Sequence, residues 1–417
     1  CEQDTSLFAA VTAARACNAG KRPYLDCRTK TVPEGTLNRL TLAIASLTIG
    51  LSAALMIARA APAQSFTTEE AVVQAEILAD GLDHPWGLDF LPNGDALITE
   101  RPGSMRIFSQ GRLSPPLEGL PKVAARGQGG LLDVAVAPDF DRSQLIYFTY
   151  SEPGSDGAGT ALARARLVRG DGPAKLAEVE TLFSMARKTA AGQHFGSRIV
   201  FNPDGTLFVT TGDRGDGRRA QDMDDHAGAV LRLNRDGSVP ADNPYVDTPG
   251  HRPEIWSKGH RNPQGAVWDP VTNALWTIEH GARGGDELNR PEAGRNYGWP
   301  VISYGRHYSG DQIGVGTDAE GYEQPVFYWD PSIAPSGLDV YDGDMFPAWK
   351  GDLLAGALKF ALVSRIKRDA QGNITGEERM FEGAFGRIRD VDVAPDGSVW
   401  LITDDSDGKI VRLSRGD

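Results

Sequence analysis

A histidine set among small residues, in the run Gly192-Gln193-His194-Phe195-Gly196-Ser197-Arg198, has the means to move a proton. An imidazole titrates near neutrality, which suits taking a proton from an alcohol. The same side chain would also serve simply to hydrogen-bond loop backbone. Further on, Thr210-Thr211-Gly212-Asp213-Arg214-Gly215-Asp216 follows the apolar stretch Leu207–Val209, so Asp213 stands where a strand ends. A carboxylate there can orient a neighbouring imidazole and raise its basicity, or cap an Asx turn. The run Gly259-His260-Arg261-Asn262-Pro263-Gln264-Gly265 offers a planar guanidinium fork in Arg261 and a donor with an acceptor in Asn262. Its Pro263 and Gly265 predict a fixed turn.

Two further runs favour ions. Glu279-His280-Gly281-Ala282-Arg283-Gly284-Gly285-Asp286-Glu287-Leu288-Asn289 is rich in oxygen and glycine, and Asn296-Tyr297-Gly298-Trp299-Pro300 follows it. Calcium takes carboxylates and backbone carbonyls in flexible geometry. The spacing is not that of an EF-hand, and a solvated acidic turn has the same composition. Late in the chain come Lys359 and then Arg387-Ile388-Arg389-Asp390. Strand alternation places Arg387 and Arg389 on one side. Two guanidinium groups side by side ask for an anion such as a polycarboxylate, unless both lie exposed at a sheet edge.

These runs lie between copies of one phrase: an apolar strand, a turn with Pro, Asp or Asn and often Gly, then another apolar strand. It occurs at Leu88–Thr99, at Val134–Phe148, at Ile199–Val209, at Ala266–Ile278 and at Val391–Ile402, with a looser copy from Gly337 to Ala355. Pro fixes φ, Asp, Asn or Gly accept the turn, and the flanking apolar residues pack between sheets. Six hairpins spaced roughly 45 to 75 residues apart, with almost no helical periodicity, predict an all-β, six-bladed β-propeller of four-stranded antiparallel blades. A single blade cannot bury both of its faces, whereas a closed ring can. An open sandwich or solenoid is the alternative. A strand over Val72 to Leu78 is placed to complete the last blade. Propellers carry function on the axis, on loops at one end, which is where the runs above fall.

The 417 residues are 40% hydrophobic, with 49 Gly, 26 Pro and a formal charge of −13. That charge, without any basic stripe, argues against nucleic acid. All three cysteines, Cys1, Cys17 and Cys27, precede the repeats, so no disulfide or thiolate site is available to the body of the chain. A body without cysteine fits an oxidising compartment. Asn38-Arg39, an apolar run from Leu40 to Ala58, and Ala61-Pro62-Ala63-Gln64 together read as a signal peptide over 39–63, cut after Ala63. A membrane anchor is the other reading of that run. Residues 1–38 read as an upstream non-native extension, and 64–417 as a single catalytic propeller. The expected location is periplasmic or secreted, with no stable membrane insertion after cleavage.

In order and in detail the five runs resemble the soluble pyrroloquinoline-quinone-dependent sugar dehydrogenases, the glucose, aldose and sorbosone dehydrogenases. The likeness spans Leu82 to Leu413 and rests chiefly on Gly259–Gly265 and on Asn-Tyr-Gly-Trp-Pro at 296–300. The resemblance implies an oxidoreductase that converts the C1 hydroxyl of an aldose to a lactone. His194 would remove the hydroxyl proton while hydride passes to the quinone C5, and Asp213 would orient His194. Arg261 would sit over the reactive quinone oxygen with Asn262 beside it. Lys359, Arg387 and Arg389 would hold the cofactor's carboxylates and ring oxygens. Gln128 matches a polar substrate contact, and Trp329 aligns with an aromatic of the substrate pocket. One calcium ion would take the carbonyls of Gly281 and Ala282, and a second the Glu287 side chain and the Tyr297 carbonyl.

Ala282 stands where the family commonly has Pro, which leaves a carbonyl ligand intact. Gln193 precedes His194 where glucose-specific members tend to have Asp, so a broader aldose range or a related sugar such as sorbosone is expected. No haem motif is present, so electrons would leave to an external quinone or cytochrome. Two rival classes share the architecture: calcium-dependent propeller lactonases or esterases, and non-catalytic binding propellers. Neither needs a cage of Lys359, Arg387 and Arg389.

Overall fold

Six antiparallel sheets succeed one another in the computed structural model, which describes residues 63–170 and 172–416. They span Pro85–Leu113, Leu131–Ser184, Ile199–Lys258, Pro263–Trp329, Pro335–Met380 and Ile388–Arg415. In each of the first five, four strands are neighbours in chain order. The sixth joins the last three strands to Val72–Leu82, with Gln64–Thr67 as an added outer strand. Val73 lies opposite Arg415 and Ala75 opposite Leu413. The two ends of the described chain therefore close the ring within one blade. The expected strand at Val72 is present and runs four residues beyond Leu78. The expectations for 1–38 and for the apolar run within 39–63 lie outside the described residues. Among the described residues no helix is long and apolar enough to cross a membrane.

The repeated phrase folds as the expected hairpin. Leu88 pairs with Ile98, Val200 with Phe208 and Val391 with Leu401. In the two Pro-Asp-Gly turns, Asp204 Oδ1 accepts the Thr206 N–H at 2.8 Å and Asp396 Oδ1 accepts the Ser398 N–H at 2.9 Å. The following Gly205 and Gly397 take φ of 93° and 81°, a region that favours glycine. Apolar side chains of adjacent blades then meet. Leu97 and Met105 of the first pack with Phe148 and Ala163 of the second, and Tyr147 and Leu162 of the second with Val209 and Leu231 of the third.

The first strand of each blade is innermost, and these strands pack on one another around the axis. Their tight approach brings charge to the centre. Arg198 Nη1 lies 2.8 Å from Asp133 Oδ1 in the second blade and 2.8 Å from Asp390 Oδ2 in the sixth. Its Nε donates to the Gln264 carbonyl of the fourth blade at 2.7 Å. Asp390 Oδ2 also accepts the Leu88 N–H of the first blade at 3.0 Å. All three charged side chains are buried. Burial pushes the Asp133 carboxyl up to about 6, even though Arg198 pulls it down.

Removing one partner of a buried ion pair costs about 3–5 kcal/mol, because the other charge is left uncompensated. Arg198→Met strands two carboxylates, so denaturant unfolding should show a loss of that size. Unchanged stability would mean that this triad does not hold the blades.

Candidate active site

His194 is carried on the loop that leads into the innermost strand of the third blade. It adopts φ of +55°, a left-handed conformation that costs a side-chain-bearing residue energy. Its surroundings hold it there. The His194 N–H donates to Gln128 Oε1 at 2.7 Å. Gly212 passes so close beneath that a Cβ on it would lie 2.3 Å from the His194 carbonyl oxygen. Arg214 stacks on the Phe195 ring at 3.4 Å and donates to the carbonyls of Gln193 and Ala191. This clamp fixes the loop on both sides of the imidazole.

Asp213 follows the strand Thr206–Thr211, as its sequence position suggests. Its Oδ1 lies 2.6 Å from His194 Nδ1 and accepts the Gly215 N–H at 2.7 Å. Its Oδ2 accepts the Trp299 Nε1–H at 2.8 Å. An ionised carboxylate only accepts, so Nδ1 carries the proton and Nε2 the lone pair. Among the described residues Nε2 has no hydrogen-bond partner. Burial lowers the His194 pKa below the ordinary 6.5, and Arg261 and Arg214 add to this while Asp213 opposes it. The imidazole is therefore neutral at neutral pH. Burial works against ionising Asp213, but its bonds to His194 and Gly215 and the nearby Arg261 outweigh that and hold it below the usual carboxylate range.

The Gly259–Gly265 run is not the expected turn throughout. Pro263–Asp269 is the innermost strand of the fourth blade, and only Gly259 has positive φ, 79°. Glu279 on the neighbouring strand grips the run. It accepts from His260 Nδ1 at 2.9 Å and from the Arg261 N–H at 2.5 Å. Arg261 donates to the His280 carbonyl at 3.1 Å and lies 5.2 Å from the Trp299 ring. Asn262 is fully buried, with Oδ1 accepting the Gly196 N–H at 3.0 Å. It braces the His194 loop from behind.

His194, Gln128, Arg261, Gly281, Ala282 and Lys359 line one cavity of about 930 Å³. An adjoining cavity of about 280 Å³ is lined by Trp86, Gln264, Arg387 and Arg389 and shares Gln128 and His280 with the first. Here Asp404 lies 3.0 Å from Arg387 and 3.3 Å from Arg389, and Arg389 also donates to Gln264 Oε1 at 2.8 Å. Burial lowers the Arg389 pKa to about 10, with Arg387 pushing the same way and Asp404 opposing. One carboxylate thus faces two guanidinium groups, with Lys359 on the adjoining wall. Arg261 Nε, Arg389 Nε and Asn262 Nδ2 are buried without a partner. This donor set fits a planar polyanion.

Besides Asp213 and Asn262, four expected site residues line neither cavity. Gln193 is exposed and lines neither cavity. Trp329 is a core residue, 1% exposed, with Nε1 donating to Glu377 at 3.0 Å; its neighbour Asp330 reaches the larger cavity. Glu287 stands opposite Glu279 on the paired strand. Its burial beside Glu279 pushes the carboxyl up to about 8. Tyr297 stacks on His260 at 4.7 Å. Trp299, Asp404 and His280 had been given no role. Asp404 follows Thr403 at the end of a strand, much as Asp213 follows Thr211-Gly212, and aligning the repeats would have exposed it. His280 is half-buried on the wall of both cavities and holds the Pro335 carbonyl at 2.7 Å; desolvation of its ring lowers its pKa to about 3 and keeps it neutral.

The family model for glucose / sorbosone dehydrogenase matches residues 82–412. The chain belongs to the glucose/sorbosone dehydrogenase family. It is 46% identical to the aldose sugar dehydrogenase YliI of Escherichia coli over 351 residues, covering 82% of this chain and 93% of that protein. The crystal structure of the soluble aldose sugar dehydrogenase from Escherichia coli in its apo-form matches with a TM-score of 0.80, 46% identity, and coverage of 82% of this chain and 100% of that one. The PQQ-bound form of aldose sugar dehydrogenase from Streptomyces coelicolor matches at 0.68 and 29% identity, covering 82% and 98%. The protein is an oxidoreductase of this sugar dehydrogenase family.

For a family member with a neutral histidine as base, kcat/KM should fall as pH drops through a midpoint below 6.5. Trp299→Phe keeps the ring but removes a donor from Asp213. The carboxylate then holds an imidazolium more strongly, and the midpoint should move up. A pH–rate profile of both proteins checks this.

Proposed function

We propose that the protein oxidises the C1 hydroxyl of an aldose to the lactone, using pyrroloquinoline quinone and calcium, and passes the electrons to an external acceptor. The observation that carries this reading is His194. Its Nδ1 is committed to Asp213, its Nε2 is unengaged, and it stands on the wall of a cavity that also carries Arg261 and Lys359. His194 Nε2 accepts the hydroxyl proton, and Asp213 stabilises the imidazolium that results. Trp299 keeps the Asp213 carboxylate turned to its task. Arg261, immobilised by the His280 carbonyl, places positive charge where negative charge develops.

When bound, the quinone supplies the two-electron acceptor for the hydride that leaves C1. Lys359, Arg387 and Arg389 would hold its carboxylates, with Arg261 and Asn262 at the reactive oxygen. The carbonyls of Gly281 and Ala282 would hold one calcium ion. Glu279 and Glu287, with the Tyr297 carbonyl, would hold the second, since burial and the neighbouring Glu279 push the Glu287 carboxyl up and a divalent cation there would offset both effects. The PQQ-bound form of the Streptomyces relative supports the choice of cofactor. A periplasmic or secreted location is part of the proposal and rests on the signal read at 39–63. A calcium hydrolase of the lactonase type would hold an axial metal with side-chain carboxylates. Here the axial carboxylates Asp133 and Asp390 are occupied by Arg198.

Incubating the protein with calcium and pyrroloquinoline quinone, then adding aldoses and a dye acceptor, should give dye reduction that requires both additions. His194→Ala should keep stoichiometric quinone binding and lose about 10²–10⁴ in turnover. Absence of both cofactor-dependent reduction and quinone binding would overturn the proposal. Calcium should also raise Tm, and Glu287→Gln should remove most of that increment.

A further inference from the structure

Arg283 and Arg306 form a pair that the chemistry above leaves unused. The Arg283 N–H donates to the Arg306 carbonyl at 2.9 Å, and the Arg306 N–H donates back to the Arg283 carbonyl at 3.1 Å. The two residues are thus an isolated antiparallel bridge. Residues that exchange both bonds stand opposite each other, about 5.5 Å apart at Cα, with side chains on one face. Like charges in that position repel. Both arginines are exposed, and both line the larger cavity together with His194 and Arg261.

Nearby arginines are neutralised: Arg290 lies 3.7 Å from Glu292, and Arg295 lies 3.2 Å from Glu323. Among the described residues Arg283 and Arg306 have no carboxylate within 4.0 Å. Asp330 shares their cavity, but it backs onto Gly284, where a Cβ would lie 2.4 Å from its Oδ1. Repulsion between opposed guanidinium groups is offset when an anion lies between them, and Arg binds carboxylate and phosphate in bidentate fashion. Arg283 and Arg306 do not line the smaller cavity, where Arg387 and Arg389 meet Asp404. Tyr308, 76% exposed, adds an aromatic face to their wall, of the kind on which a sugar ring packs.

We propose that Arg283 and Arg306 form an anion subsite for the substrate, so that the preferred aldoses carry a carboxylate or phosphate at C6, remote from the reacting C1. This rests on the sugar-oxidising reading of the cavity. The test compares D-glucuronate and D-glucose 6-phosphate with D-glucose, which differ only at that end. In the calcium- and quinone-loaded enzyme at low salt, at least one anionic sugar should exceed glucose in kcat/KM by about tenfold, the size expected of a charge-assisted pair. The stronger of the two identifies the group. Arg306→Gln should cut that ratio several-fold, Arg283→Gln with Arg306→Gln should abolish it, and added salt should shrink it.

A ratio at or below one in the unmodified enzyme, or a ratio unmoved by the double substitution, overturns the subsite. So does a double variant that binds quinone more weakly while keeping its ratio, since the arginines would then serve the cofactor. Equilibrium dialysis of labelled glucuronate and glucose against cofactor-free protein gives a readout without turnover. Preferential glucuronate binding that the double substitution removes supports the subsite even if no sugar is oxidised, a result that would instead sink the dehydrogenase reading.

Discussion

Arg198 is the residue on which the arrangement of the site depends. One buried guanidinium ties the second, third, fourth and sixth blades, and Asp390 passes the connection to the first through the Leu88 N–H. Such a pair gains little net stability, since both charges leave water. What it supplies is register. Each blade meets its neighbours through apolar faces that would tolerate sliding, whereas a fork held at 2.8 Å by carboxylates from two blades does not. The functional groups hang from this point. His194 lies four residues before Arg198, Gln264 offers its carbonyl to it, and Arg389 is the residue before Asp390.

Above that point the protein reverses its own charge. The chain carries −13 overall, yet Arg261, Arg387, Arg389 and Lys359 converge on two adjoining cavities where Asp404 answers two of them. Burial makes His194 resist protonation, and Arg261 and Arg214 add to the effect. A base kept neutral, beside cations placed to receive negative charge, is the combination that oxidation of an alcohol requires. The cations would favour ligands that bring anionic groups with them.

Much of this was legible in the sequence, because hairpins are local. Alternating apolar residues and a Pro-Asp-Gly turn dictate two strands within a dozen residues, and six repetitions leave a ring as the economical way to bury both faces. That Asp213 stands at a strand end, where it can orient an imidazole, was legible for the same reason, and its pairing with His194 came from the family resemblance. Pro263 misled the reading. Proline removes a backbone donor and so predicts a turn, but the innermost strand has a free edge toward the axis where no donor is needed. Trp329 misled it differently. Alternation along Phe327–Trp329 sends the indole into the core and leaves Asp330 beyond the strand to reach the cavity. Trp299 was not legible, because its partner Asp213 lies 86 residues away in another blade, whereas Asp404 meets Arg387 and Arg389 within a single hairpin.

The step we propose at this site is C1–H bond cleavage, with His194 taking the hydroxyl proton. Its most direct test is a single-turnover comparison of C1-deuterated and unlabelled aldose with the calcium- and quinone-loaded protein, following the cofactor spectrum. The account predicts slower cofactor reduction with the deuterated sugar. Equal rates for the two sugars, or a cofactor spectrum that does not change with either, would contradict it.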